Sequence, residues 1–168
     1  VCSSDLMDQG VRNGSYKNSY TYQGLLQHTV FEPTCISLIT EPCFYERESL
    51  ITEKTLMAMY AGTLPIWVGG WRLPDVMRDL GFDVFDDVID HSYSTLDDPW
   101  NRLDRAIELN QHLLTNINLS QEFIKNNLSR LQHNVDLIES NVFLDVVKQT
   151  ITQYPKLKAI ADMWQLTI

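Results

Sequence analysis

The hydrophobic positions of this chain change period along its length. From Thr34 to Thr40 the run Thr-Cys-Ile-Ser-Leu-Ile-Thr is β-branched and apolar. It has strand length and ends at Glu41-Pro42, where proline removes a ladder donor, so a first strand is predicted. Residues 50–61 then place Leu50, Ile51, Leu56, Met57, Met59 and Tyr60 at helical spacing, with Gly62 as the stop. Leu64-Pro65-Ile66-Trp67-Val68 follows as a short apolar strand closed by Gly69-Gly70. Strand, helix and strand within about 35 residues make one βαβ unit, whose strands are expected to lie parallel in one sheet.

Residues 74–82 predict a second helix, with Pro74 in its first turn, Val76, Met77 and Leu80 inward, and Gly81 as its end. Phe82-Asp83-Val84-Phe85 reads as an edge strand. Beyond Pro99, apolar residues recur at helical spacing from Leu103 and Ile107 through Phe123, Leu131, Val135 and Val142 to Ile151, so the last third is helical. Breaks are expected near Asn116 to Ser120, with Ser120 as a cap, and at Pro155. Residues 7–30 are polar, Tyr-rich and punctuated by glycine, an irregular lead-in with one short helix around Tyr22 to His28. Val1 to Leu6 precede the first Met and match one frame of a common DNA-sequencing adapter, so they are set aside as a scar.

Length and charge narrow the classes. The chain has 168 residues, 44% of them hydrophobic, enough to bury a core without disulfides or a structural metal. No apolar run approaches the ~18 residues of a membrane span. With 13 basic against 22 acidic residues, a net of −9, general nucleic-acid binding is excluded, and any anionic ligand must be held locally. Ten acidic residues against three arginines lie between Asp75 and Glu108, a stretch read as solvated surface. The cysteines Cys2, Cys35 and Cys43 show neither a CxxC pair nor zinc spacing; this suits a reducing compartment, with Cys35 as a core residue.

Candidate chemistry concentrates at Leu50-Ile51-Thr52-Glu53-Lys54-Thr55, the start of the first predicted helix. A helix N-terminus carries unpaired amides and about half a positive charge, so it attracts anions. Glu53 obeys this rule. Lys54 opposes it unless something negative lies between the ammonium and the helix end, and a phosphate would resolve the conflict. Glu53 beside it can accept hydrogen bonds from sugar hydroxyls, as carboxylates do in dinucleotide folds. Spacing alone favours a plainer alternative, an exposed Lys54 paired with Glu46, Glu48 or Glu53.

The segment Leu38-Ile39-Thr40-Glu41, then Ile51-Thr52-Glu53-Lys54, then Ala61-Gly62-Thr63-Leu64-Pro65-Ile66 and Val68-Gly69 resembles the donor-binding segment of the family-10 glycosyltransferases, the α1,3-fucosyltransferase type. The likeness runs over roughly Ser37 to Gly70. Downstream, Gly81 to Asp90 and the helical part more loosely resemble glycosyltransferase-like proteins of phages and large viruses. The resemblance implies an α/β fold, the Rossmann-like C-terminal domain of a GT-B type enzyme. Residues 7–115 would form the nucleotide-sugar-binding domain and residues 116–168 a helical tail, with the N-terminal acceptor domain and its general base outside the chain. It further implies that Lys54 contacts the donor diphosphate and Glu53 the ribose or sugar hydroxyls. Thr52 belongs to the same motif, and Glu41 would face the cleft at a strand end. Gly69 and Gly70 would allow close backbone approach to the donor. The donor is a nucleoside diphosphate sugar, with GDP and fucose as the family's candidates, and the acceptor a glycan or other hydroxyl compound. The setting implied is the cytoplasm of a prokaryote or a virus-infected cell. Pro42 stands where the family has Asn and Leu50 where it has an aromatic residue, which leaves the base open.

Other features carry less. Asp86-Asp87 and Asp97-Asp98 are read as capping and solvated residues, and this type of transferase needs no metal. His28, His91, His112 and His133 are read as surface or helix residues. Trp67, Trp71, Trp100 and Trp164 are read as core or interface aromatics, Trp71 being closest to the candidate site. The rival reading is a non-catalytic α/β interaction or structural module of viral or phage origin, for which exposed apolar residues along Leu128 to Val147 would be the mark.

Overall fold

The computed structural model describes residues 34–42 and 44–163. The expected lead-in helix near Tyr22, the first six residues and Trp164 lie outside the described residues. Strand β1 (Ile36–Ile39) runs parallel to β2 (Leu64–Trp67), with Ile36 opposite Leu64 and Ile39 opposite Trp67. Helix α1 (Glu53–Tyr60) crosses between them, the expected βαβ unit. It begins three residues later than its apolar pattern, because the Thr52 hydroxyl accepts the Lys54 amide and caps it there; Leu50 stays in the loop, exposed. Its end is as predicted: Gly62, at φ +69°, takes the left-handed conformation that follows the last turn.

Strand β2 is buried along its whole length and has a core on each face. Leu64, Ile66 and Val68 point to one side, among Phe85, Ile89 and Tyr93. Trp67 points to the other, with Ile39, Met59, Leu73 and Met77. Alternation with period two makes one four-residue strand the partition between two clusters.

Helix α2 spans Leu73–Asp79, and a 3-10 turn covers Ser92–Thr95. Then come α3 (Pro99–Leu109), α4 (Gln111–Leu114), α5 (Ile117–Asn126), α6 (Leu128–Glu139), α7 (Val142–Gln153) and α8 (Pro155–Met163). Ser120 does not cap a helix as expected. Asn116 does, accepting the Leu119 amide at 3.2 Å, while Ser120 is buried inside α5 and donates its hydroxyl to the Leu113 carbonyl at 3.1 Å. The predicted break at Pro155 falls where α7 gives way to α8.

Residues 82–85 do not form the edge strand their apolar alternation predicts. The side chain of Asn134, on α6, accepts the Asp83 N–H and donates to the Asp83 carbonyl, both at 2.8 Å. It takes up the two groups a neighbouring strand would use. Phe85 at φ +61° then turns the chain out of extended geometry. Arg130, one turn earlier on α6, forks onto Asp83 and Asp87 at 2.6–2.9 Å, its guanidinium 5.0 Å from the Phe85 ring centroid. Ile124 and Leu131 are 1% exposed, so α5 and α6 share the core of the βαβ unit.

Candidate functional site

The motif residues meet at the C-terminal edge of the parallel pair, where α/β sheets place their ligands. Glu41 follows β1, Thr52 to Lys54 open α1, and Gly69-Gly70 follow β2. Gly69 lies so close to the end of β1 that an added Cβ would stand 2.3 Å from the Glu41 nitrogen. No side chain fits there.

Glu41 is 2% exposed. One carboxylate oxygen accepts the Thr52 amide at 3.2 Å and the Thr55 hydroxyl; the other accepts the Thr52 hydroxyl. Thr55 in turn accepts the Trp67 indole N–H at 3.1 Å. A capping box closes a helix start with a glutamate at the third helical position, reaching back to the cap amide. Here that position is Thr55, and Glu41 supplies the carboxylate from the segment that follows β1. The negative charge favoured at the start of α1 is thus partly provided inside the protein. Glu41 acts on the site through Thr52 and does not line its surface.

Glu53 and Lys54 are exposed in the first turn. Among the described residues Lys54 forms no ion pair, with Glu46, Glu48 and Glu53 included, so the pairing that spacing alone favours is not made. Gly70, at φ +85°, brings the chain against Ser49, whose hydroxyl donates to the Trp71 carbonyl. The Trp71 ring lies 5.9 Å from the Arg47 guanidinium and 5.4 Å from that of Arg72. Its indole donates to the Thr95 carbonyl at 3.2 Å.

Sequence reasoning passed over two residues that organise this edge. Arg102, 1% exposed, donates to the carbonyl oxygens of Leu96 at 2.8 Å, Asp97 at 3.3 Å and Phe44 at 2.6 Å. It straps the loop before α1 to the start of α3, and the Arg47–Asp97 pair at 2.6 Å ties the same loops outside. Nothing in the helical spacing of residues 99–109 separates Arg102 from a surface arginine. His91 is buried rather than a surface or helix residue: it sits 5.7 Å from the Trp67 ring and its Nε2 lies 2.8 Å from the Val84 carbonyl. Burial pushes its pKa below the ordinary 6.5, so the neutral ring is favoured, with Nε2–H donating to Val84.

The acidic stretch is more structured than a solvated face. Arg78 forks onto Asp86 at 2.8–3.0 Å and reaches Asp75 at 2.7 Å, and Arg72 also holds Asp75. Asp98 caps α3 through the Asn101 amide, and Asp90 accepts the Ser92 amide. Guanidinium hydrogen bonds hold the carboxyls of Asp75, Asp83 and Asp87 below the usual carboxylate range against the opposing effect of burial. Among the described residues no group of three His, Cys, Asp or Glu side chains is arranged for a metal ion, and no helix is long and apolar enough to cross a membrane. Comparison with protein-family models, curated proteins and solved structures finds no match to this chain.

Proposed function

We propose that this chain is the donor-binding half of a glycosyltransferase, a Rossmann-like domain of GT-B type that holds a nucleoside diphosphate sugar for transfer to a hydroxyl acceptor. The observation that carries the reading is the convergence of Glu41, Thr52, Glu53, Lys54, Gly69 and Gly70 at one strand edge, with the Lys54 ammonium unpaired among the described residues. As the acceptor hydroxyl attacks and the glycosidic bond breaks, negative charge grows on the departing diphosphate. Lys54 and the first-turn amides of α1 offset that charge. Glu53 accepts hydrogen bonds from ribose or sugar hydroxyls, and Glu41 holds Thr52 so that the turn keeps its shape.

The test is a thermal-shift panel of GDP, UDP, ADP and CMP on the wild-type chain and on Lys54→Ala. A ligand at a hundred times its Kd adds about 2.7 kcal/mol of stability. Stabilisation by one diphosphate, lost in Lys54→Ala, supports the reading; a cooperative melt unmoved by every nucleotide overturns it.

One observation favours the rival, a non-catalytic interaction module. Helix α7 has no buried residue, and Leu144, Val146 and Val147 on it are exposed, as is Leu128 on α6. Solution light scattering of the wild type and a Leu144→Ser/Val147→Ser variant tests it: self-association lost in the variant would support that reading.

A further inference from the structure

The two strands have unlike outer edges. The Leu64 amide donates to the Cys35 carbonyl and the Val68 amide to the Ile39 carbonyl, both at 2.8 Å, so in this parallel pair Cys35, Ser37 and Ile39 turn their backbone groups to β2. Ile36 and Leu38 therefore turn theirs away. On β2 the outward residues are Pro65, which has no N–H, and Trp67, whose amide interacts with the hydroxyl of the buried Tyr93, so that edge is closed. On β1 the outward N–H and C=O groups of Ile36 and Leu38 have no partner among the described residues. We propose that this edge pairs with the same edge of a second copy of the chain, antiparallel about a two-fold axis at Ser37.

The edge is complementary to itself. Ile36 and Leu38 each offer one donor and one acceptor, and opposing Ile36 to Leu38 of the second copy lets the members of each pair exchange N–H and C=O. A two-fold axis then satisfies every outward group in both copies. Ser37 faces Ser37 of the second copy, its own backbone groups still on β2. The side chains agree with this register: Leu38, 42% exposed, gains Ile36 of the second copy as a cross-strand apolar neighbour. Natural edges are blunted by charge or proline, and Thr34 to Thr40 contains neither. In a chain of net charge −9, an uncharged stretch is also where two copies meet without repulsion. Leu114 and Ile117, exposed beside a cavity of about 250 Å³ that Cys35 and Ile36 also line, continue the apolar surface next to the edge.

So short an edge buries less than the ~800 Å² per partner of a standard interface, and a weak dimer is expected, with Kd in the micromolar range. Its sheet runs β2, β1, then β1 and β2 of the second copy. Antiparallel pairing sets the two C-terminal strand edges at opposite ends of that sheet. The dimer therefore needs nothing from Glu53 or Lys54 and does not rest on the transferase reading.

Sedimentation equilibrium of the full chain, over about a hundredfold range of concentration up to about 1 mM, tests this. A monomer–dimer equilibrium is expected. Leu38→Pro removes an outward N–H from each copy while sparing the bonds to β2, and should weaken the dimer at least about tenfold, the effect of one lost hydrogen bond. Leu38→Lys keeps the amide and should weaken the dimer by setting a charge against Ile36 of the second copy. Melting at low concentration shows that each variant folds, and the dimer should survive Leu144→Ser/Val147→Ser. Diamide oxidation in a Cys2→Ser/Cys43→Ser background reads the register. Ser37→Cys, at about 4.5 Å from Cα to Cα across the axis, should cross-link two chains, and Thr40→Cys should not. A single-chain mass at every concentration, a dimer that a folded Leu38 variant leaves unchanged, one lost in Leu144→Ser/Val147→Ser, or one that Ser37→Cys fails to cross-link would overturn the assignment.

Discussion

The guanidinium of Arg102 donates to the carbonyl oxygen of Phe44 at 2.6 Å across 58 positions of sequence. The same group holds the Leu96 and Asp97 carbonyls, so a single buried charge fixes the spacing of two loops. Replacement by Met keeps the bulk and strands three carbonyls. Arg102→Met is expected to cost about 3 kcal/mol or more in urea unfolding, and Arg102→Lys, which retains part of the bonding, clearly less.

Glu41 and Gly69 should behave as one packing unit. Glu41→Ala removes the acceptor of three hydrogen bonds and leaves the Thr52 amide and the Thr52 and Thr55 hydroxyl protons without one, so a loss of about 2–3 kcal/mol is expected, with Glu41→Gln milder. Gly69→Ala forces a methyl group into the Glu41 backbone and is expected to be at least as damaging. A double variant losing less than the sum of its parts in thermal melts would show the coupling.

Lys54→Ala is expected to move the other way. The side chain is exposed and stands at the positive end of α1, so its removal should leave stability within about 0.5 kcal/mol of the wild type, with any change a gain. Denaturant titration checks this and licenses the variant as a probe of ligand binding.

Acid should weaken the protein in two stages. Burial lowers the pKa of His91 below 6.5, so the unfolded chain takes up the proton first and stability falls as pH drops from 6.5 toward the folded value. The lowered carboxyls of Asp75, Asp83 and Asp87 contribute stability that is present above 3.8 and lost as pH falls below it. His91→Gln should abolish the first stage and leave the second, as followed by melting temperature against pH.

Asn134 replaces a strand. Asn134→Ala should leave the Asp83 N–H and carbonyl unsatisfied beside α6, a loss of about 2 kcal/mol, and hydrogen exchange should quicken at Asp83.

The βαβ unit was legible because its signals are local: a β-branched run, a helical period and a glycine stop follow one another within Thr34 to Gly70. The convergence of the motif residues followed from that topology. What escaped were relationships between distant residues. Nothing in the alternation of Phe82 to Phe85 tells that a side-chain amide from position 134 will satisfy Asp83 in place of a strand. Glu41 could be located at a strand end, yet its carboxylate points into the protein, because Thr52 and Thr55 offer three donors there. Arg102 and His91 read as ordinary polar residues, since burial is a property of the folded chain.

The cap that Glu41 places on α1 also bears on how the molecule comes apart. An eight-residue helix is too short to persist alone in water, and this one has its first turn closed by a residue just beyond β1. Opening β1 therefore releases the start of α1 in the same event, and the indole of Trp67, tied in through Thr55, loses its partner with them. The protected protons of strand, helix and indole should exchange with one common opening free energy, a single cooperative unit in which none of the three frays before the others.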